Sequence, residues 1–275
     1  MDNRYIGIFD SGVGGLTSVP YIMDLFPNER VIFFGDTART PYGSKAPETI
    51  RQFTLEIGAF MAAHDVKLMA AACNTISATS LEVLQAAYPD IPVLGTIDAT
   101  SQMVAAVCSP SDRIGILATK ATVSTEMYPK AIRRAAPEVT HLYQKACPMF
   151  VPLIEEGIVD HPIMDMTIHY YLDDFIRDNR IDTLVLGCTH YPLISGNLRR
   201  LYPGIRLISS SKELAVALGN ELRDRDLQAD ETNERENIFY ASDLSDSFLR
   251  MTRQLLGDGA KKRNIRFKNL DLGGR

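Results

Sequence analysis

The sequence is poor in cysteine and lacks any closely spaced cysteine pair. Only Cys73, Cys108, Cys147 and Cys188 occur in 275 residues, and no two of them form a CxxC motif. This pattern argues against a disulfide framework and favours reduced thiols. Cys108 and Cys147 are interpreted as structural. No metal site is predicted, because Cys188 and His190 form a single pair with no second pair of ligands nearby.

Long apolar runs and an excess of positive charge are also absent. No run approaches the ~20 residues of a membrane span, and the apolar run in MDNRYIGIFDSG is too short for a signal peptide, so a cytoplasmic protein without a membrane partner is expected. The 29 Lys and Arg residues against 34 Asp and Glu residues give a net charge of -5. This balance argues against a nucleic-acid partner. Only Lys261 to Lys268 (KKRNIRFK) is locally basic, and it is interpreted as solvated surface.

Short apolar runs that alternate with helical patterns dominate the chain. Such alternation is typical of βαβ units and predicts an α/β fold with open, mostly parallel sheets flanked by helices. The predicted strands are Tyr5 to Phe9, Val31 to Gly35, Leu68 to Ala72, Val93 to Ile97, Arg113 to Ala118, Val139 to Tyr143, Thr183 to Gly187, Ile205 to Ser209, Ile238 to Ala241 and Ile265 to Leu270. Helices are predicted over Pro47 to His64, Thr75 to Ala87, Lys212 to Arg223 and Leu244 to Leu256.

The order of elements repeats along the chain. RIGILA at residues 113–118 echoes RYIGIF at residues 4–9, and the two strand-end cysteines are 115 residues apart. A weak internal duplication of this kind predicts two similar α/β domains. The last two strands have no counterpart in the repeat and are expected to complete the first sheet. The first domain is therefore predicted to span residues 1–96 plus 211–275, and the second residues 97–210.

Cys73 and Cys188 each follow a predicted buried strand directly and precede a helix or turn. In open parallel sheets ligands bind beyond the carboxyl ends of the strands. If two such domains face each other, the two thiols face each other across a cleft. Amide N–H groups and a helix dipole favour the thiolate, so both thiol pKa values are expected to fall. Two such cysteines suggest paired thiol acid/base chemistry.

Each of these residues also has a structural interpretation. An isolated buried cysteine is usually a small core residue, and an isolated histidine such as His190 usually has a structural hydrogen bond. Asp10, which follows the first strand, could simply cap the next turn. The repeated placement of Cys73 and Cys188 favours the chemical interpretation for the thiols. It also makes His190, two residues from Cys188, a candidate acid/base partner.

Five blocks of sequence, in order, resemble the aspartate/glutamate racemase family of cofactor-independent enzymes. They are IGIFDSGVGGLTSV, FFGDTARTPYGSKAPETI, AACNTISA, CPMFVPLIEEG and LVLGCTHYPLI. The resemblance implies two pseudo-symmetric α/β domains with the active site between them. It also implies inversion of the α-carbon of glutamate to supply D-glutamate for peptidoglycan, with no cofactor. Aspartate or a broader range of amino acids is the alternative substrate, and a protein-binding role such as inhibition of DNA gyrase is the alternative of another class.

The resemblance also implies roles for individual residues. Cys73 and Cys188 would be the two catalytic bases, with Asp10 supporting Cys73 and with His190 and Glu155 supporting Cys188. Glu156 is adjacent, and the sequence leaves open which of the two glutamates points inward. The implied substrate contacts are Ser11, Pro41, Tyr42, Gly43, Ser44, Asn74, Thr75, Thr119, Thr122 and Thr189. A homodimer is expected on the same basis.

The chain departs from the family pattern at two places. Thr96 to Ala99 reads TIDA where many members have a Val-Ile-Glu-Pro-like segment, and Ser209-Ser210 stands where an Asp-Ser pair is common. Both places lie near the predicted crossovers between domains. They are expected to affect the hinge geometry more than the cysteine chemistry.

Overall fold

The computed structural model describes residues 1–257, 264–270 and 272, apart from the side chain of Ser247. Residues 261–263 of the basic tail lie outside the described residues. The strands are β1 (Tyr5–Asp10), β2 (Val31–Gly35), β3 (Val66–Ala71), β4 (Val93–Gly95), β5 (Ile114–Ala118), β6 (Leu142–Ala146), β7 (Thr183–Gly187), β8 (Arg206–Ser209), β9 (Asn237–Ala241) and β10 (Ile265–Asn269).

Helices connect these strands. They are α1 (Val19–Leu25), α2 (Pro47–Ala62), α3 (Asn74–Thr79), α4 (Leu81–Ala87), α5 (Thr96–Val107), α6 (Lys120–Thr125), α7 (Met127–Ala135), α8 (Phe150–Glu155), α9 (Pro162–Asn179), α10 (Ser195–Leu201), α11 (Ser210–Asp224) and α12 (Asp246–Leu256). Within the described part of the chain, none of them is long and apolar enough to cross a membrane.

Two parallel sheets form the framework, and they share one topology. The first has the order β10-β9-β2-β1-β3-β4 and the second the order β6-β5-β7-β8. Four strands of the first sheet therefore repeat the order of the second, as the internal duplication predicts. The expectation that the last two strands extend the first sheet is confirmed, because β9 pairs with β2 and β10 pairs with β9. The α/β class is confirmed, whereas the domain boundaries stay a prediction.

Both faces of each sheet are buried, which explains why the central strands are almost uniformly apolar. In β1, Ile6 and Ile8 pack on one side while Phe9 packs on the other. In β7, Leu184 and Leu186 face one cluster and Val185 another. The alternation of side chains along a strand therefore fixes which way the residue after the strand points.

Three predicted elements are displaced in the structure. The strand placed at Val139 to Tyr143 is β6, which begins only at Leu142. The strand placed at Val93 to Ile97 ends at Gly95, because Thr96 already begins α5. The helix predicted over Thr75 to Ala87 is split into α3 and α4, since Ser80 leaves the helical conformation with φ -140° and ψ -3°.

Candidate active site

A cavity of about 170 Å³ lies where the carboxyl ends of the two sheets meet. Its lining comes from the segments that follow β1, β2 and β3 of the first sheet and β5, β6 and β7 of the second. The lining residues are Ser11, Thr40, Pro41, Tyr42, Gly43, Ser44, Cys73, Asn74, Thr75, Thr119, Lys120, Cys147, Pro148, Val151, Pro152, Cys188, Thr189 and His190. Cys73 and Cys188 therefore open onto one cavity, as expected for ligand sites in parallel sheets.

Most of the residues singled out in the sequence meet at this cavity. All the implied substrate contacts line it except Thr122, which lies behind Thr119 and hydrogen-bonds to its hydroxyl oxygen. Asp10 and Glu155 lie one layer further out, behind Cys73 and His190. The structure thus brings the predicted set together, while the role of each residue stays a prediction.

The Cys73 half of the site is built around a buried carboxyl group. Asp10, fully buried at the end of β1, accepts a hydrogen bond from the N–H of Gly12 at 3.0 Å. Thr189 of the opposite half donates to the same carboxyl group at 3.5 Å. Burial raises the pKa of Asp10, while the nearby His190 and the N–H groups of Gly15 and Gly12 oppose that rise. Asp10 therefore touches both halves of the site.

The expected fall in the thiol pKa is wrong for Cys73. Burial and the negative charge of Asp10 raise its pKa to about 12, although hydrogen bonds from the Ser11 hydroxyl and from the N–H groups of Ile76 and Ser11 act in the opposite direction. The Cys73 Sγ lies 3.3 Å from the Ser11 hydroxyl oxygen. Removal from water outweighs the few N–H groups at the start of α3. A pKa of about 12 keeps Cys73 in the neutral thiol form at physiological pH.

The Cys188 half contains a buried cation instead. His190 Nδ1 lies 3.9 Å from the Cys188 Sγ, and its Nε2 lies 2.9 Å from Oε1 of Glu155. Glu155, rather than the exposed Glu156, is the glutamate that points inward. Burial alone would lower the pKa of His190, but the hydrogen bonds to Cys188 and Glu155 raise it to about 10. An imidazolium in this position stabilises negative charge on the neighbouring sulfur.

The raised pKa of His190 predicts a pH dependence of stability. The folded protein keeps this proton above the ordinary value of 6.5, up to about 10. The contribution of the protonated His190 to the free energy of unfolding is therefore complete below about pH 6.5. It is lost as pH rises through about 10, by at most about 1.4 kcal/mol per pH unit. Urea unfolding at pH 6, 8 and 10 should show this decline in the wild type and a smaller one in His190→Gln. Parallel curves for the two proteins would contradict the assignment.

The loop after β2 covers the first-sheet side of the cavity, and a buried carboxylate anchors it. Asp36 accepts hydrogen bonds from the Tyr42 hydroxyl, from Nε of Arg39 at 2.7 Å and from the Ser242 hydroxyl at 2.9 Å. The guanidinium of Arg39 also stacks 4.0 Å from the centre of the Phe53 ring. Three donors on one buried carboxylate hold the loop that carries Pro41, Gly43 and Ser44.

Threonine hydroxyls from both halves meet on the other side of the cavity. Oγ1 of Thr75 lies 3.1 Å from that of Thr119, and Thr119 lies 3.1 Å from Thr122. Thr119 also caps α6 by accepting a hydrogen bond from the N–H of Thr122 at 3.2 Å. A hydroxyl can donate or accept, so this cluster suits a ligand with carboxylate oxygens.

Sequence reasoning missed several lining residues. Thr40, Lys120, Cys147, Pro148, Val151 and Pro152 all contact the cavity. Lys120 is the only Lys or Arg in the lining as far as the chain is described, and it is exposed at the start of α6. Its position directly after the strand-end residue Thr119 could have identified it. Cys147, interpreted as structural, is fully buried yet contributes to the wall, and its pKa is raised mainly by burial.

Comparison with known proteins agrees with this arrangement. The Asp/Glu/Hydantoin racemase family model matches residues 21–218. A glutamate racemase of Geobacter metallireducens is 42% identical over 255 residues, covering 92% of this chain and 93% of that protein. The crystal structure of glutamate racemase from Francisella tularensis in complex with D-glutamate has a TM-score of 0.90 and 34% identity, covering 99% of both chains. The glutamate racemase RacE1 of Bacillus anthracis also has a TM-score of 0.90, with 30% identity and complete coverage of both chains.

Two similar parallel sheets, with a cavity between them that is lined by Cys73 from the first and Cys188 from the second, form the framework of an α/β isomerase. The family model covers more than half of the chain, and the relative from Geobacter metallireducens is similar over almost its full length. This chain belongs to the Asp/Glu/Hydantoin racemase family.

Proposed function

We propose that this protein is a glutamate racemase that interconverts L- and D-glutamate with two cysteine bases and thereby supplies D-glutamate for peptidoglycan. The observation that carries the proposal is the placement of Cys73 and Cys188 on one cavity, each at the end of the corresponding strand of its sheet. Inversion of a carbon centre needs a base on one face and an acid on the other. Thiols contributed by two facing domains meet that requirement.

The two halves would enter the reaction with different groups beside the sulfur. Cys73 retains its proton because burial and Asp10 hold its pKa at about 12, whereas Cys188 has the buried His190, whose pKa is raised to about 10, at 3.9 Å from its Sγ. In one direction the Cys188 thiolate removes the α-proton, and the Cys73 thiol delivers its own proton to the opposite face. The C–H bond that breaks is replaced by a new one, and the two sulfurs exchange charge. In the other direction Cys73 is the base, and Asp10 lies where it can receive or return the proton of Cys73.

The lining also suits an amino acid with two carboxylates. Ser11, Thr75, Thr119 and Thr189 present hydroxyl groups, and Lys120 adds a cation at the edge of the cavity. A cleft of low polarity focuses the field of a single charge and raises the local concentration of an anionic ligand. We infer that the hydroxyls orient the carboxylates and that Lys120 attracts the substrate as it enters.

Incubation of the purified protein with each glutamate enantiomer in D2O, without added cofactor, tests this function. Polarimetry should show inversion of both enantiomers, and NMR should show deuterium at the α-carbon of the inverted product. Absence of inversion, or a requirement for pyridoxal phosphate, would overturn the proposal. Aspartate is run beside glutamate, and faster inversion of aspartate would select the alternative substrate.

A homodimer is also part of this proposal. Ile163, Met166 and Tyr170 on α9, together with Met149, expose between 45% and 78% of their surface. Exposed apolar side chains grouped in this way are typical of interaction surfaces. Sedimentation velocity at micromolar concentration would contradict this part of the proposal if it found only monomers.

A further inference from the structure

Tyr128 bridges the two segments that carry the cysteines. Its side chain is fully buried in α7, and its ring packs against Gly187, where a Cβ atom would lie only 2.9 Å from Cε2 of the tyrosine. Its hydroxyl group lies 2.5 Å from Oδ1 of Asn74. Gly187 immediately precedes Cys188, and Asn74 immediately follows Cys73. One side chain therefore contacts a neighbour of each candidate base.

The direction of each hydrogen bond around Asn74 can be assigned. Oδ1 can only accept, so Tyr128 and Thr96, whose Oγ1 lies at 3.0 Å, both donate to it. Nδ2 donates to Oγ of Ser210 at 3.0 Å, and Ser210 in turn donates to the carbonyl of Leu186 at 2.9 Å. Two donors on one side of the amide and one acceptor on the other fix which way the amide faces. Burial raises the pKa of Tyr128, so its hydroxyl keeps the proton that it donates.

These hydrogen bonds use Oδ1 and only one N–H of the Asn74 side chain. A side-chain amide has two N–H donors, and Ser210 takes only one of them. Asn74 is 2% exposed and lines the cavity, so its second N–H is available to a ligand carboxylate there. If the amide rotated by half a turn, an oxygen atom would face that carboxylate instead. The orientation of Asn74 thus decides whether the site attracts or repels an anion at this point.

We propose that Tyr128 is a positioning residue, whose hydroxyl holds the Asn74 amide with its second N–H towards the substrate carboxylate. The inference rests on the proposed function and assigns a role to a residue that itself lies outside the cavity lining. Thr96 donates a second hydrogen bond to the same oxygen. Ser210 extends the connection to Leu186 in β7, the strand that leads to Cys188.

Tyr128→Phe is the sharpest test, because it keeps the ring against Gly187 and removes only the donor. KM for both glutamate enantiomers should rise about tenfold, the loss expected for one neutral hydrogen bond, with a smaller change in kcat. Tyr240→Phe is the matched control. Tyr240 is also buried, and its hydroxyl accepts a hydrogen bond from Lys268 at 3.2 Å on β10, away from the cavity. Its kinetics should equal those of the wild type.

A double-mutant cycle with Asn74→Ala separates positioning from a purely structural role. If Tyr128 acts through Asn74, Tyr128→Phe should have little further effect on KM once Asn74 is alanine. Multiplicative effects of the two substitutions, or an unchanged KM in Tyr128→Phe, would overturn the inference. A wild-type protein that fails to exchange the α-proton of glutamate in D2O would instead reject the proposed function.

Discussion

Replacing either Cys73 or Cys188 with alanine is expected to abolish inversion of glutamate in both directions. Each thiol opens onto the same cavity, and the two lie at the ends of corresponding strands, β3 and β7. Removal of a positioned acid or base lowers a rate by about 10²–10⁴-fold. The proposed mechanism uses both thiols in each turnover, so neither direction should survive either substitution. Polarimetry with each enantiomer in turn measures the loss.

Exchange of the substrate α-proton with solvent should reveal the face of the α-carbon on which each thiol acts. Cys73→Ala keeps Cys188 and its His190 partner, so one enantiomer can still lose its α-proton and regain a deuteron on the same face. Cys188→Ala should allow slow exchange of the opposite enantiomer only. Mass spectrometry of the amino acid recovered from D2O distinguishes exchange with retention from inversion.

Cys108→Ala provides the matched control for both substitutions. Cys108 is partly exposed at the end of α5, where Arg206 lies 3.8 Å from its sulfur, and it does not belong to the cavity lining. Its replacement should leave both rates unchanged. Inversion at a nearly normal rate by either Cys73→Ala or Cys188→Ala would contradict the two-base assignment.

Gly14→Ala is expected to lower kcat/KM by about 100-fold or more. Gly14 lies on the first-sheet side, in a short turn of 3-10 helix after β1. A Cβ atom at this position would overlap Nδ1 of His190 and lie 2.5 Å from Oγ1 of Thr189. His190 would have to leave its place between Cys188 and Glu155, and a displacement of about 1 Å at a reacting group costs roughly that factor. Steady-state kinetics in both directions provide the measurement.

Gly196→Ala serves as the control for Gly14→Ala. Nothing lies within 4 Å of a Cβ atom at Gly196, which is in helix α10. Alanine there should leave activity unchanged and raise the free energy of unfolding by about 0.4–1 kcal/mol. Normal activity in Gly14→Ala would mean that His190 can move without loss, and that its contact with Cys188 is unimportant.

The central strands and their carboxyl ends were predictable because burial on both faces makes them short and uniformly apolar. β2 and β7 match the predicted bounds, Val31 to Gly35 and Thr183 to Gly187. β6 was misplaced because it is an edge strand whose residues, LYQKA, are all only partly buried. Val139, where the predicted strand began, is fully buried but lies in the turn after α7. Apolar character alone does not distinguish a buried turn from a strand.

The electrostatics and the long-range contacts of the site could not be inferred from the sequence. The position of Cys73 at a helix start suggested a lowered pKa, but the effect of complete burial depends on the whole surrounding fold. Tyr128 is 54 positions from Asn74 along the chain and carries no local motif. Hydrogen bonds across two domains become visible only when both sheets are in place.

The first sheet is built from two separate parts of the chain, β1 to β4 and β9 to β10, and this limits the order in which the chain can fold during synthesis. The edge of β2 is completed only by β9, which begins at Asn237, after every strand of the second sheet has emerged. Unpaired strand edges promote association with other chains. While the nascent protein grows, the second sheet can therefore form before the first is complete. Until β9 is synthesised, the edge of β2 is unpaired, so premature release or truncation would expose it and lead to aggregation.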